Sequence, residues 1–214
     1  AFEVKNILLK LEYRGGGFLG WQQQARGRTV QGVMRENLEK FLRHKVKLTG
    51  SGRTDTGVHA LAQYANFHSN IGMSPVEILY RLNRILPDDI AVLSCKNVPL
   101  NFDSRRNAIS RSYRFLISEK LNALNSEFCW VPGRQLDILK LREMAGIVAE
   151  ARHFDNFCKA KSRKIDNDCL ILNAKWLRHG GFLRFDITAN RFLHNMVRLL
   201  VGSMIAVHDG KMEL

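Results

Sequence analysis

Asn6-Ile7-Leu8-Leu9-Lys10-Leu11-Glu12-Tyr13, followed closely by Gly15-Gly16-Gly17-Phe18-Leu19-Gly20, is the stretch on which the fold turns. Ile7, Leu9, Leu11 and Tyr13 alternate with Lys10 and Glu12, the period of a strand with one buried face. The glycines behind it fit G-x-G-x-x-G, the phosphate-binding turn of a dinucleotide fold. In that fold the third glycine packs the opening of a helix onto the sheet. Here the apolar spacing of a helix begins only near Thr29, with Val30, Val33, Met34, Leu38, Phe41 and Leu42. That is too late for Gly20 to serve a helix start, so the dinucleotide fold is disfavoured.

Working outward, Val46–Thr49 reads as a short strand and Ala60–His68 as a longer one. Ser74-Pro75-Val76-Glu77 is a capping box with proline at the first helical position, so a helix runs from there to about Leu86 and stops at Pro87. Ile90–Asn97 is a further strand. The order βαββαβ is a split βαβ unit of ferredoxin-like type. Val98–Ser104, with Pro99, is the expected boundary, dividing the chain into domains 1–104 and 105–214. The pattern then starts again with a strand at Arg111–Ser118 and a helix at Asp137–Glu150. A hairpin, Cys169–Arg178 and Phe182–Asn190, turns through His179-Gly180-Gly181, and a last helix covers Arg191–Val207. That is βαββα, one strand short of the first half. The fold class is therefore α+β, two ferredoxin-like halves with the final strand missing, and a cleft between two such halves is the natural substrate site.

Composition limits the partners. The 214 residues carry 33 Lys and Arg against 20 Asp and Glu, a net +13, with 45% hydrophobic and 25% charged residues. A sequence pI near 10.0 fits a phosphate-binding surface. The apolar runs are too short to span a membrane, and no signal region opens the chain. Cys95, Cys129, Cys158 and Cys169 are isolated, which argues against a metal site or disulfide framework and for a reducing, cytoplasmic compartment.

Against that basic background stands Gly50-Ser51-Gly52-Arg53-Thr54-Asp55-Thr56-Gly57-Val58-His59-Ala60. Gly52 and Gly57 have the glycine spacing of a P-loop, but Val58-His59 occupy the places of its Lys and Ser/Thr, which excludes that role. Asp55 alone would read as a turn residue or helix cap. Arg53 beside it favours an ionised carboxylate, fit to act as nucleophile or base. On the last helix, apolar over most of its circumference and so expected to be buried, Arg191, His194, Asn195 and Arg198 form one polar stripe at spacings of three and four. Such a stripe would line a cleft, with Arg198 seeking Asp55 or an RNA phosphate. Tyr113, flanked by Arg105, Arg106, Arg111 and Arg114, is either a core aromatic or a stacking platform for an unstacked base. Trp21 and Gln22 suit base edges or a plain surface loop. Lys159, Lys161, Arg163 and Lys164 read as a solvated basic loop or a grip on the backbone.

Taken together, Tyr13–Gln24, Gly52–Ala60, Phe102–Phe115, Phe154–Ala160 and Ala189–Gly202 resemble the bacterial-type tRNA pseudouridine synthase A family, in family order across nearly the whole chain. The resemblance implies two α/β halves around a continuous mixed sheet, with a basic cleft between them, in a homodimer. It implies isomerisation of uridine to pseudouridine in tRNA, typically at positions 38 to 40, with no metal or organic cofactor. By the same resemblance Asp55 matches the essential aspartate and Arg53 the arginine of its loop. Tyr113 matches the tyrosine that stacks on the target base, and Arg198 the basic residue that pairs with the aspartate. Family members continue past Gly210-Lys211 with another helix and a closing strand. Either the chain is trimmed or its sheet is expected to carry an open edge. Two other classes compete with it. A non-catalytic RNA-binding module would not need Arg53, Asp55 and Arg198. A hydrolase would want a second carboxylate near the first, and Glu12, Asp103 and Asp186 are the acids to place.

Overall fold

The computed structural model describes residues 3–158 and 167–213. The chain divides into two compact units, Ala1–Ala108 and Ile109–Leu214.

In the first unit β1 (Lys5–Tyr13) is followed by α1 (Val30–Leu42), β2 (Thr49–Gly50), β3 (Ala60–Ser69), α2 (Pro75–Ile85) and β4 (Ile90–Val98). The sheet order β2-β3-β1-β4 is that of a split βαβ unit, antiparallel throughout. Alternation does the work that the sequence implied. Ile7, Leu9, Leu11 and Tyr13 are buried, as are Val30, Met34, Leu38 and Leu42 of α1 and Ile78 and Leu82 of α2. Thr29 caps α1 by accepting from the Gly32 N–H. Ser74 and Glu77 form the reciprocal capping box at α2. Leu86, forced towards extended backbone by Pro87, has ψ 148° and ends α2.

The strand expected over Val46–Thr49 is shorter and later than its pattern suggests. Val46 and Leu48 do bury their side chains, but only Thr49 and Gly50 pair with β3. The Leu48 carbonyl accepts from the Gln31 side chain at 2.9 Å instead of from a neighbouring strand.

The second unit runs β5 (Arg111–Ser118), α3 (Ile138–Glu150), β6 (Ile171–His179), β7 (Phe182–Ala189) and α4 (Met196–His208). Its sheet order, β5-β7-β6, repeats the β1-β3-β2 arrangement of the first unit, and a counterpart of β4 is absent among the described residues. These strands are also antiparallel. Among the described residues, parallel pairing is confined to an isolated bridge from Ile117 to Trp130. The core gathers Ile117, Leu141, Met144, Trp176, Leu183, Phe185 and Ile187 with Met196, Leu200, Val201, Met204 and Ile205 of α4.

Two expectations for the last helix are corrected. It begins five residues later than Arg191, because Asn195 adopts the left-handed region at φ 63° and ψ 8°, a conformation that asparagine tolerates better than most residues. Phe192 and Leu193 still pack against the core, so apolar spacing survives there without helical backbone. The helix also buries one face only, leaving Arg198, Leu199 and Gly202 exposed.

Candidate functional site: an aspartate loop seated on a glycine turn

Residues Ser51 to Ala60 are held by backbone and side-chain bonds to other parts of the first unit. At the entry, the Ser51 N–H donates to the Tyr64 carbonyl at 2.7 Å. The Ser51 hydroxyl donates to Oε1 of buried Gln63, whose Nε2 donates to the Gly52 carbonyl at 2.7 Å. In the middle, the Trp21 N–H donates to the Thr54 carbonyl at 3.0 Å, and the Gly57 N–H to the Phe18 carbonyl at 3.3 Å. The Tyr13 hydroxyl and Thr54 Oγ1 lie 2.8 Å apart. At the exit, the Gly15 N–H donates to Nδ1 of His59 at 3.0 Å, so Nδ1 is the ring nitrogen without the proton. Within the loop the Val58 N–H closes a turn onto the Asp55 carbonyl at 3.2 Å. Gly15 and Phe18 belong to the turn that imitated a nucleotide motif, and Tyr13 and Trp21 flank it.

That turn has glycines because the loop rests on it. A Cβ on Gly15 would stand 2.1 Å from the Val58 carbonyl oxygen, and one on Gly20 would stand 2.6 Å from that of Thr54. Gly20 also has φ 84°, which side chains rarely adopt. The glycine run is a seat for the aspartate loop, and it sets the half-buried Asp55 on a backbone that cannot drift far. The loop also carries the exposed Arg53, and a carboxylate is a group able to act as nucleophile or base.

Trp21 requires a correction. It is 1% exposed, and its indole lies beneath Gly50, so close that a Cβ there would meet the ring at 2.4 Å. Its side chain is core and is not open to a base edge. Gln22 is half-buried, and its amide donates to Gln31 at 2.6 Å. Gln31 also accepts from the Gln23 N–H, which ties the end of the glycine turn to α1.

Arg105 and Arg106 are exposed on a turn capped by Asp103, whose Oδ1 accepts from both of their N–H groups at 2.8 and 2.9 Å. Those two bonds, with the Arg106 N–H foremost, hold the Asp103 carboxyl below its ordinary range.

In the second unit Tyr113 lies on β5 opposite Ile187 of β7. It is half-buried, with the edge of the Phe192 ring against it at 4.9 Å and 86°. Phe192 is a neighbour that the sequence assigned to a helix. Arg111 donates to the Asn190 carbonyl at 3.0 Å, and Asn190 in turn pairs with Leu170 through both N and Oδ1. These bonds fix the start of the segment that holds Arg191, His194 and Asn195. The polar stripe is therefore not a single helical row: Arg191, His194 and Asn195 precede α4, and Arg198 is its third residue. Lys159, Lys161, Arg163 and Lys164 lie outside the described residues.

Two of the three acids considered for a hydrolase are otherwise engaged, while Glu12 is exposed on β1. Asp186 pairs with Arg114 and Arg184, each at 2.9 Å, and Asp103 caps its turn. His59, Gln63 and Gln31 were missed as site residues. Only His59, four positions after Asp55, left a sequence signal, since the others act through the tertiary fold.

Comparison with known proteins gives the family. A family model described as tRNA pseudouridine synthase matches residues 11–105 and 151–214. The tRNA pseudouridine synthase A of Chlorobium luteolum is 37% identical over 211 residues, covering 98% of this chain and 83% of the relative. That of Chlorobium limicola is 38% identical over 209 residues, covering 97% and 86%. The Francisella tularensis subsp. holarctica enzyme of the same name is 36% identical over 210 residues, covering 97% and 81%. This chain belongs to the tRNA pseudouridine synthase family.

Proposed function

We propose that the protein isomerises uridine to pseudouridine in the anticodon stem-loop of tRNA, at positions 38 to 40, with Asp55 as the catalytic carboxylate. The reaction breaks the bond from N1 of uracil to C1′ of the ribose, turns the free base and joins C5 to C1′. N1 gains a proton and C5 loses one, so atoms and charge balance without an oxidant or co-substrate. Asp55 either attacks C1′ or removes a sugar proton to give a glycal. Tyr113 stacks on the base while it is detached, its ring steadied by Phe192. Arg53, in the same loop, and Arg198, the third residue of α4, are the basic residues this reading assigns to the reaction. The target must leave the helical stack before its reacting atoms can be reached. Gln22, Arg105, Arg111, Arg191, His194 and Asn195, with Lys159 and Lys161, contact the RNA, and the net +13 supplies its electrostatic attraction. We read the enzyme as a cytoplasmic homodimer that uses no metal or organic cofactor.

The observation that supports this reading is the seat of Asp55: a carboxylate, within the segment 11–105 that the family model covers, on a loop tied to the glycine turn at Thr54, Gly57 and His59. The test is Asp55→Asn, which removes the charge at nearly constant size. Unmodified tRNA is incubated with each protein, and pseudouridine is mapped by carbodiimide-primed reverse transcription. The variant should form no product while binding tRNA within about threefold of the wild type, because one carboxylate adds no phosphate contact. Ordinary product formation by Asp55→Asn would refute the assignment. Release of free uracil by the wild type would indicate a hydrolase, and binding without either reaction an RNA-binding module.

A further inference from the structure

Two buried asparagines on adjacent strands, Asn6 of β1 and Asn66 of β3, are 1% and 4% exposed. Burying two primary amides is costly unless their hydrogen-bonding groups find partners, and here the partners converge on one segment. Nδ2 of Asn6 donates to the Pro99 carbonyl at 2.9 Å and to the Phe102 carbonyl at 2.8 Å, with the Leu100 carbonyl at 3.4 Å. Nδ2 of Asn66 donates to Oδ1 of Asn6 at 2.9 Å and to the Phe102 carbonyl at 3.1 Å. Oδ1 of Asn66 accepts from the Ser104 N–H at 2.8 Å.

The arrangement has one consistent orientation. If the Asn6 amide were flipped, an oxygen would face the Pro99 and Phe102 carbonyls. If the Asn66 amide were flipped, an NH2 would face the Ser104 N–H. Each side chain therefore fixes the other, and together they hold backbone atoms on both sides of Asp103. His68 adds a third tie from β3, with Nε2 at 2.9 Å from the Leu100 oxygen.

What is held is the start of a single turn. Asp103 caps the N–H groups of Arg105 and Arg106, its own N–H donates to Oδ1 of Asn107, and the Asn107 N–H returns to the Asp103 carbonyl at 2.9 Å. Residues 103–107 thus close on themselves, and the clamp sets the direction in which this closed turn leaves the sheet. The two exposed arginines ride on it.

We propose that Asn6 and Asn66 are positioning residues for RNA recognition, fixing the Phe102–Asn107 turn so that Arg105 and Arg106 meet the phosphate backbone in a set direction. This rests on the reading of that turn as an RNA contact. It is an inference about affinity, and the chemistry at Asp55 does not pass through it. Long arginine side chains lose rotamer freedom when they bind, and a backbone already fixed leaves less to be lost.

The test is a cycle of variants: Asn66→Ala, Arg105→Ala with Arg106→Ala, and all three together. Kinetics on unmodified tRNA are measured along with the salt dependence of binding. Asn66→Ala should raise the KM for tRNA roughly tenfold and flatten the slope of log Kd against log salt by about one, the signature of a lost phosphate contact. The kcat at saturating tRNA should stay within about twofold, since a lost uniform binding contact raises KM alone. In the background lacking both arginines, Asn66→Ala should add nothing, because sites that act through one another are not additive. Asp103→Ala keeps the buried pair intact and opens the cap from its solvent side. It should weaken tRNA binding even though it removes a negative charge, and it serves if Asn66→Ala does not fold. A wild-type KM and slope in both Asn66→Ala and Asp103→Ala would overturn the positioning role, as would an Asn66→Ala penalty that persists without the arginines. A wild-type KM in the double-arginine variant would instead remove the reading of the turn as an RNA contact, and the proposal with it.

Discussion

Gly15→Ala is the sharpest probe of the aspartate loop. The new Cβ would lie 2.1 Å from the Val58 oxygen and 2.4 Å from its carbonyl carbon. Both are backbone atoms, so no side chain can swing aside to relieve the clash. Contacts closer than 3.0 Å are essentially never seen for a real Cβ, so one backbone must yield by about 1 Å, the scale at which misplaced catalytic groups cost about a hundredfold in rate. Val58 is the donor that closes the turn onto the Asp55 carbonyl, so its displacement reaches the backbone that carries the carboxylate. The same movement strains the bond from the Gly15 N–H to His59. Overpacking of this kind costs about 1–3 kcal/mol, and the lost hydrogen bond about 1 kcal/mol more. The expected outcome is a kcat for tRNA down about a hundredfold, with KM within about threefold because no RNA contact is touched. The assay is tritium release from tRNA labelled at C5 of uridine, with a thermal melt to confirm folding. Gly17→Ala is the control, since its Cβ would meet only side-chain ends, Nη1 of Arg28 at 3.3 Å and Oδ2 of Asp89 at 3.7 Å, and its kcat should be that of the wild type. A folded Gly15→Ala enzyme with wild-type kcat would refute the claim that the glycine turn sets the aspartate.

Trp21→Ala should act on stability rather than on RNA affinity. Removing a large, fully buried aromatic costs about 3–5 kcal/mol, read in urea titration, and an unchanged melt accompanied by weakened tRNA binding would restore the base-contact reading. Arg28 and Asp89 form a two-pronged pair at 2.5 and 2.9 Å, and Arg28 also covers the Phe18 ring at 4.1 Å. The Arg28 guanidinium holds the Asp89 carboxyl below its ordinary range. A depressed folded pKa gives a contribution that is whole above the unfolded value, about 3.9, and is lost as pH falls through the lower folded one. Asp89→Asn should therefore lower the melting temperature at pH 7 by the equivalent of about 0.5–1 kcal/mol. The gap from wild type should close as pH falls below about 4, and a gap that widens on acidification would contradict the pairing.

Much of the fold was legible because it is written in local periods. The alternation at Ile7, Leu9, Leu11 and Tyr13, the Ser74–Glu77 box and the Gly180-Gly181 turn each declare themselves over a few residues, and the structure places β1, α2 and the β6–β7 hairpin accordingly. Two of the misreadings share a cause. Val46 to Thr49 has strand alternation, and Arg191 to Arg198 has helical spacing, but spacing reports only which side chains reach the core. Whether the backbone between them pairs or coils depends on partners far along the chain. Gln31 takes the Leu48 carbonyl, and Arg111 and Leu170 hold Asn190; no window of ten residues contains those facts.

The site divides along the same line. Asp55 stood out because an isolated acid amid glycines in a basic chain is a compositional anomaly, visible without any structure. Trp21 misled because an aromatic next to three glutamines has the look of a recognition loop, and the sequence does not show that Gly50 leaves room for its indole underneath. The glycine run was rightly denied a nucleotide role, yet its actual use could not be read, since it exists only in relation to Val58 and Thr54, more than thirty residues away in the sequence. Glycines required by close approach, unlike those required by a turn, carry no signature beside them. The Asn6–Asn66 pair is the extreme case: two polar residues inside strands, which look like edge positions or exposed faces until Pro99 to Ser104 folds back upon them. A sequence announces the groups that do chemistry by their oddity, but it conceals the groups that aim them, because aiming is a relation between distant parts of the chain. That asymmetry makes Gly15 and Asn66, rather than Asp55, the positions where mutation can tell this fold's particular solution from the family's common chemistry.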